Sequence, residues 1–259
     1  MVGAFSCPKS GELTMLNISG ITLTFNQPSE INGMPIGTLL QVGSNNQKTG
    51  YSLQTIYFLI IKPTDAIKTG SDVSVCGDCK CRPIVGGWCY VQPMQLNQQH
   101  QKFMRGGYPR WDELSKFERR HVNRLKEVFI SRLGKWGDPA ADKSVIPFMT
   151  EYGRCLGYTH QCYKPQHQDL QPSCMASVDD PVEYGRANDM GWRTFRTKLE
   201  SDPLLPNEII CPYPKVQYVD CGMCDGKDSK FRKNIAVNAH GVRYKVNRYE
   251  AYRKQLPVV

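Results

Sequence analysis

The chain predicts an α/β fold: a full or incomplete (β/α) barrel of parallel strands with a small β-rich N-terminal addition. Three observations carry that expectation. Short apolar runs alternate with loops and helical stretches along most of the 259 residues, which is the pattern of repeated βαβ units. The strongest run, residues 55–61, is continuous rather than alternating, as in a strand covered on both faces. Roughly six or seven such strands suit a barrel better than a sandwich, with an open doubly wound sheet as the alternative. No repeat and no long linker interrupts the pattern, so the chain divides into the addition, residues 1–43, and a cysteine-rich barrel-like domain, residues 44–259.

The elements follow in order. Residues 14–18 and 21–25 read as a hairpin-like pair around a turn at Ser19-Gly20. Residues 44–50 read as a polar loop containing Lys48, without the spacing of a phosphate-binding P-loop. After the run at 55–61 come a cysteine loop and a Gln-rich helix over 93–105. A charge-laced helix over 111–126 then places Leu114, Phe117, Val122 and Leu125 on one face. Strands are predicted at 128–133, 156–159, 174–178, 192–197, 208–211 and 233–238. Helices are predicted over 142–152 and 182–190, the latter with Pro181 at its start and Gly191 at its end. Residues 243–259 form a basic, tyrosine-rich tail with a helix over 249–254.

Lysine and arginine outnumber the acids by 33 to 24, a formal charge of +9, which favours a polyanionic partner such as a nucleic acid or a nucleotide. Arg119, Arg120 and Arg124, with Lys116 and Lys126, make the densest basic face, read either as polyanion contact or as a solvated surface. Eleven cysteines are clustered rather than spread as a disulfide framework. With no signal-peptide pattern and no membrane-length apolar run, metal-bound thiolates in a reducing cytoplasm are the expectation. Isolated Cys7, Cys155, Cys162 and Cys174 read as buried structural thiols.

In parallel barrels the chemistry gathers where the strands end. Reading each predicted strand end collects Cys76, Cys79 and Cys89, then Asp138, His160 with Gln161, Ser177 with Asp179, Arg196, Cys211 and His240. Asp138, His160, Asp179 and His240 are the candidates for proton transfer, and Gln161, Ser177 and Arg196 for substrate contact. Each has a structural alternative, for instance a helix cap at Asp138 or Asp179. The thiol spacing is more specific. Cys76-x2-Cys79 puts two thiolates on one tight turn, Gly77 permits that turn, and Cys81 or Cys89 can add a third ligand. Cys221-x2-Cys224 repeats the device with Cys211 as the natural third. Zinc and iron–sulfur clusters both accept such ligands, and the two thiol groups could serve one site or two.

A strand, a cysteine loop, a helix, then a second strand ending in Gly137-Asp138-Pro139 resembles the start of a radical S-adenosylmethionine barrel. In that family a three-cysteine loop holds a [4Fe–4S] cluster and a Gly-rich motif contacts the cofactor. Here Cys76, Cys79 and Cys81 or Cys89 would match the loop, in the order CxxCxC where the family has CxxxCxxC. Gly157-Tyr-Thr-His-Gln161, Met175-Ala-Ser-Val-Asp179, Gly191-Trp-Arg-Thr-Phe-Arg196 and Cys221-x2-Cys224 also look like stretches of bacteriophage- and plasmid-encoded proteins. The resemblances imply a phage-encoded iron–sulfur enzyme in a bacterial host cell's cytoplasm, with S-adenosylmethionine as an implied cofactor and a nucleotide or nucleic acid as substrate. The alternative is a zinc-stabilised nucleic-acid-binding or host-interaction protein without catalysis. A metal-dependent nuclease using Asp138, Asp179 and His240 ranks last.

Overall fold

A computed structural model describes residues 18–46, 50–212, 222–226 and 232–255. Cys7, Lys48 and Cys221, and most of the segment 14–18, lie outside the described residues.

The described residues open with three antiparallel strands, β1 (Gly20–Pro28), β2 (Pro35–Asn46) and β3 (Gly50–Leu59). Two short helices follow, α1 (Pro63–Thr69), with Pro63 at its start and Gly70 left-handed at its end, and α2 (Val73–Cys76). After the cysteine loop come α3 (Asn97–Met104) and α4 (Lys116–Val128). Next are β4 (Ser131–Trp136), α5 (Ile146–Thr150), β5 (Cys155–Leu156) and β6 (Tyr158–Thr159). The last elements are β7 (Met175–Val178), α6 (Pro181–Asp189), β8 (Thr194–Lys198), β9 (Glu208–Ile210), β10 (Asn234–Asn238) and α7 (Arg243–Lys254).

The strands form two five-stranded sheets. One is mixed, in the order β1-β2-β3-β4-β5, with β3, β4 and β5 parallel. The other is all parallel, in the order β6-β7-β8-β10-β9. Only Gly157 separates β5 from β6, so one short stretch pairs with β4 at its start and with β7 at its end.

Alternate residues of β7 face opposite cores, as a strand requires. Ala176 and Val178 pack with Leu53, Leu133, Val122 and Leu125 of α4, and Tyr184 and Ala187 of α6. Met175 faces the other way, into a small cluster with Leu156, Ile235 and Cys224. A third cluster joins Ile56 and Phe58 to Ala66, Val75 and Phe103. Phe103 is 2% exposed, so truncating it to alanine costs about 3–5 kcal/mol.

The parallel α/β expectation matches this arrangement, but among the described residues no pairing closes the strands into a barrel. Several local expectations are corrected. β2 was not anticipated, and it crosses position 43 into the stretch read as a polar loop. The helix expected over 111–126 is a 3-10 turn, Trp111–Glu113, followed by α4. Ser115 restarts it by capping Glu118, whose carboxylate bonds back to the Ser115 amide. Phe117 therefore sits in the first turn, 69% exposed, not on the apolar face. The helix expected over 142–152 is a 3-10 turn, Lys143–Val145, and the short α5. No helix among the described residues is long and apolar enough to cross a membrane.

Candidate metal centre

The cysteine loop leaves α2 at the edge where β6 and β7 end. Its base is fixed by Arg82, which donates to the Asp72 carboxylate at 2.8 Å and to the Gly70 carbonyl at 2.6 Å. Gly77 turns the chain with φ of +57°, and a Cβ there would run into the Gln161 side chain, so this position requires glycine. Lys80 clamps the outer side of the loop to Glu183 at 2.5 Å and to the Tyr252 hydroxyl at 3.0 Å. Lys245 of α7 donates to the Cys89 carbonyl at 2.6 Å, and Trp88 stacks on Tyr252. These six contacts hold a loop that has almost no secondary structure of its own.

Held in this way, the loop presents Cys79 and Cys81 to His160. Both Sγ atoms lie 3.9 Å from His160 Nε2, and the three donor atoms all fall within 4.8 Å of one another. Asp179 Oδ2 is 3.6 Å from the same Nε2 and 3.8 Å from Cys81 Sγ. For a tetrahedral ion with metal–sulfur bonds near 2.3 Å and metal–nitrogen bonds near 2.0–2.1 Å, the sulfur–nitrogen edge is about 3.6 Å. The observed separations need to contract only slightly to hold one ion. Cys79, Cys81 and His160 are each half-buried, which leaves the group reachable from solvent.

The electrostatics suit cation binding. Cys79 is drawn well below the ordinary thiol range, by a hydrogen bond from Cys81 and by His160. Cys81 is pushed up by sharing that proton with Cys79, by burial and by Asp179. Burial opposes charge on His160, but Cys79 and Asp179 outweigh it and raise its pKa well above the usual value. A divalent ion would replace the protons that this crowd of donors now shares.

Asp138 acts from below. It accepts the His160 amide at 2.8 Å, the Thr159 hydroxyl at 2.8 Å and the Ala140 amide at 2.9 Å. Burial lifts its pKa to about 6 against those hydrogen bonds. It positions the His160 backbone and caps the turn at Pro139–Ala141 rather than facing the donors. Gln161 is buried beside Gly77, with Nε2 3.4 Å from the Cys76 carbonyl.

The remaining sequence candidates are scattered. Cys76 and Cys89 feel the charge of Cys79 but lie outside the three-donor group; Cys76 leans on the apolar cluster of β3, and burial pushes Cys89 up to about 11. Cys211 and Cys224 pack at the small cluster of Leu156, Met175 and Ile235. Arg193, just before β8, donates to the Met223 and Gly226 carbonyls, so Cys224 sits at the amino edge of the parallel sheet, opposite Cys79. One site shared by Cys79 and Cys224 is therefore not formed. Arg196 is 1% exposed and engaged by both carboxylate oxygens of Glu208, at 2.8 and 2.7 Å. Ser177 is half-buried on β7, and His240 is exposed beside the Asn238 carbonyl. Arg119, Arg120 and Arg124 line an open groove of ≈ 590 Å³ with Trp111 and Tyr152, Arg124 being paired with Glu127 at 2.8 Å.

Compared with known protein families, curated proteins and solved structures, the chain matches none. The fold and the donor group alone define it as a mixed α/β protein with a site that could bind a metal.

Proposed function

We propose that this is a metalloprotein whose ion is held by Cys79, Cys81 and His160, with Asp179 as fourth ligand or as the carboxylate that orients the imidazole. The observation that carries this reading is the approach of both thiols to one imidazole nitrogen, at 3.9 Å each. The donor set, two thiolates and one nitrogen, is that of a single zinc ion in the type of site that keeps a fourth position exchangeable. The position argues for chemistry over stapling alone: the ligands stand at the ends of β6 and β7, where parallel α/β proteins gather their reactive groups. In this reading the sheets that meet at Gly157 are parts of an incomplete barrel, and the ion acts as a Lewis acid on a small substrate.

A specific observation favours a second reading. Cys79 stands close enough to Cys76 and Cys89 to raise the pKa of both, so the loop brings more sulfur than one ion needs. An iron–sulfur cluster, and with it the radical chemistry suggested by the loop order, would use that surplus. The protein purified without oxygen decides. One zinc per chain in a colourless protein supports the first reading, and iron with acid-labile sulfide supports the second. A chain that carries no metal and takes none up overturns both.

A further inference from the structure

Four arginines that pack into the interior each meet a carboxylate: Arg82 meets Asp72, Arg193 meets Asp225, Arg196 meets Glu208 and Arg253 meets Asp202. Arg132 does not. It stands on β4 in a polar row that crosses three strands, where Gln41, Gln54 and Arg132 are register partners. Its guanidinium lies 5.9 Å from the centroid of the Tyr90 ring and 6.0 Å from that of Tyr158. Nη2 donates to the Tyr90 hydroxyl, and Nε is without a partner. The ionisable groups that act on it among the described residues are those two phenols and the Cys224 thiol.

Lys135 brings a second cation to the same row. Its Nζ donates to Gln41 Oε1 at 2.7 Å, and it is close enough to Arg132 that the guanidinium adds to burial in lowering its pKa. Two cations together in a half-buried recess repel one another and lose solvation, a cost that an anion removes. Arg196 shows how the same guanidinium edge looks when filled, with Nε and Nη2 each holding one oxygen of Glu208. On Arg132 that edge carries one phenol oxygen and a vacant Nε. Tyr90 is 63% exposed, so its hydroxyl yields the position at little cost in packing.

We infer that Arg132 and Lys135 form an oxyanion site for a phosphate group, with Tyr90 as a displaceable cover and Tyr158 as a wall. Two phosphate oxygens match the Nε–Nη2 edge and a third meets the ammonium, and the two positive charges balance a phosphomonoester near −2. Because Tyr90 directly follows Cys89, the phosphate would sit beside the cysteine loop. The site stands independently of the metal reading.

The test is isothermal titration of the full chain with inorganic phosphate and with a nucleoside 5′-monophosphate, on metal-loaded and metal-stripped protein. Saturable one-to-one binding is expected in both forms. Arg132→Gln should weaken it at least about tenfold and Lys135→Gln severalfold, while Tyr90→Phe should not weaken it. Tighter binding of the nucleotide would identify the source as a nucleotide phosphate, and equal binding as free phosphate. Should Arg132→Gln fail to fold, Lys135→Gln decides alone, since its ammonium has one glutamine partner. The assignment is overturned by absence of saturable binding, by binding only when metal is loaded, or by an equal loss in Arg120→Glu on α4.

Discussion

The chain carries the same two-cysteine spacing twice, and Cys79 of the first copy and Cys224 of the second meet different surroundings. Cys79 and its neighbour Cys81 face an imidazole and a carboxylate at the edge where parallel strands end. Cys224 faces Ile130, Leu156, Met175 and Ile235 at the opposite edge, and is 7% exposed. What separates Cys79 from Cys224 is therefore what the fold brings up to each thiol, not the spacing itself. At the first, β6 and β7 deliver His160 and Asp179. At the second, the described residues deliver an apolar cluster, the Tyr158 phenol and the Arg132 guanidinium.

The comparison can be broken most directly by mutation. Cys81→Ser and His160→Ala should each reduce bound metal by more than about tenfold, whereas Cys211→Ser and Cys224→Ser should leave it unchanged. Elemental analysis of the purified variants reads this, and metal loss in Cys224→Ser would abolish the distinction. Alkylation mapped by mass spectrometry sharpens it. Removing the ion should expose Cys79 and Cys81 to reagent, while Cys155, Cys162 and Cys174, buried in the main core, stay unreactive with or without metal.

Asp179→Asn should lower metal affinity by about 10–100-fold without unfolding the protein. Its backbone carbonyl, which accepts the Tyr249 hydroxyl at 2.9 Å, is kept. Competition with a chelator measures this. The smallest effect lies away from both thiol groups. Burial pulls Lys126 down to about 8, with its Nζ above the Phe148 ring and on the Phe148 carbonyl. The unfolded chain keeps that proton to about 10.4, so between these values the unfolded state binds more protons and stability rises with pH. Thermal unfolding should show this rise in the wild type and its absence in Lys126→Met.

Much of the fold was legible because strands covered on both faces read as continuous apolar runs, as with residues 55–59 and 174–178; the expected run 55–61 overshoots β3, which ends at Leu59 and leaves Ile60 and Ile61 exposed. β2 was hidden because its sequence, PIGTLLQVGSNN, mixes Pro, Gly, Gln and Asn into a strand stabilised by long antiparallel pairing with β3. α1 and α2 were hidden by their shortness. At the site, reading strand ends collected His160, Asp138 and Asp179, and the spacing collected Cys79. Cys81 stood in the sequence only as an alternative to Cys89, because an alternate-residue cysteine can point either way. It is the distant partners of Lys80 and Gly77, Glu183, Tyr252 and Gln161, together with the local tie of Arg82 to Asp72, that turn it toward His160. Arg196 looked like a strand-end contact for substrate, and only its distant partner Glu208 shows it to be an internal ion pair. Arg132 carried no motif at all. Its signal is the lack of a carboxylate partner among the described residues, which no linear sequence displays.

The measurement that tests the central claim most directly is X-ray absorption at the edge of whichever metal the intact protein carries. The account predicts two sulfur neighbours near about 2.3 Å and nitrogen or oxygen neighbours near about 2.0–2.2 Å around a single ion, with one sulfur lost in Cys81→Ser. A first shell of sulfur alone, or a metal–metal shell, would contradict it.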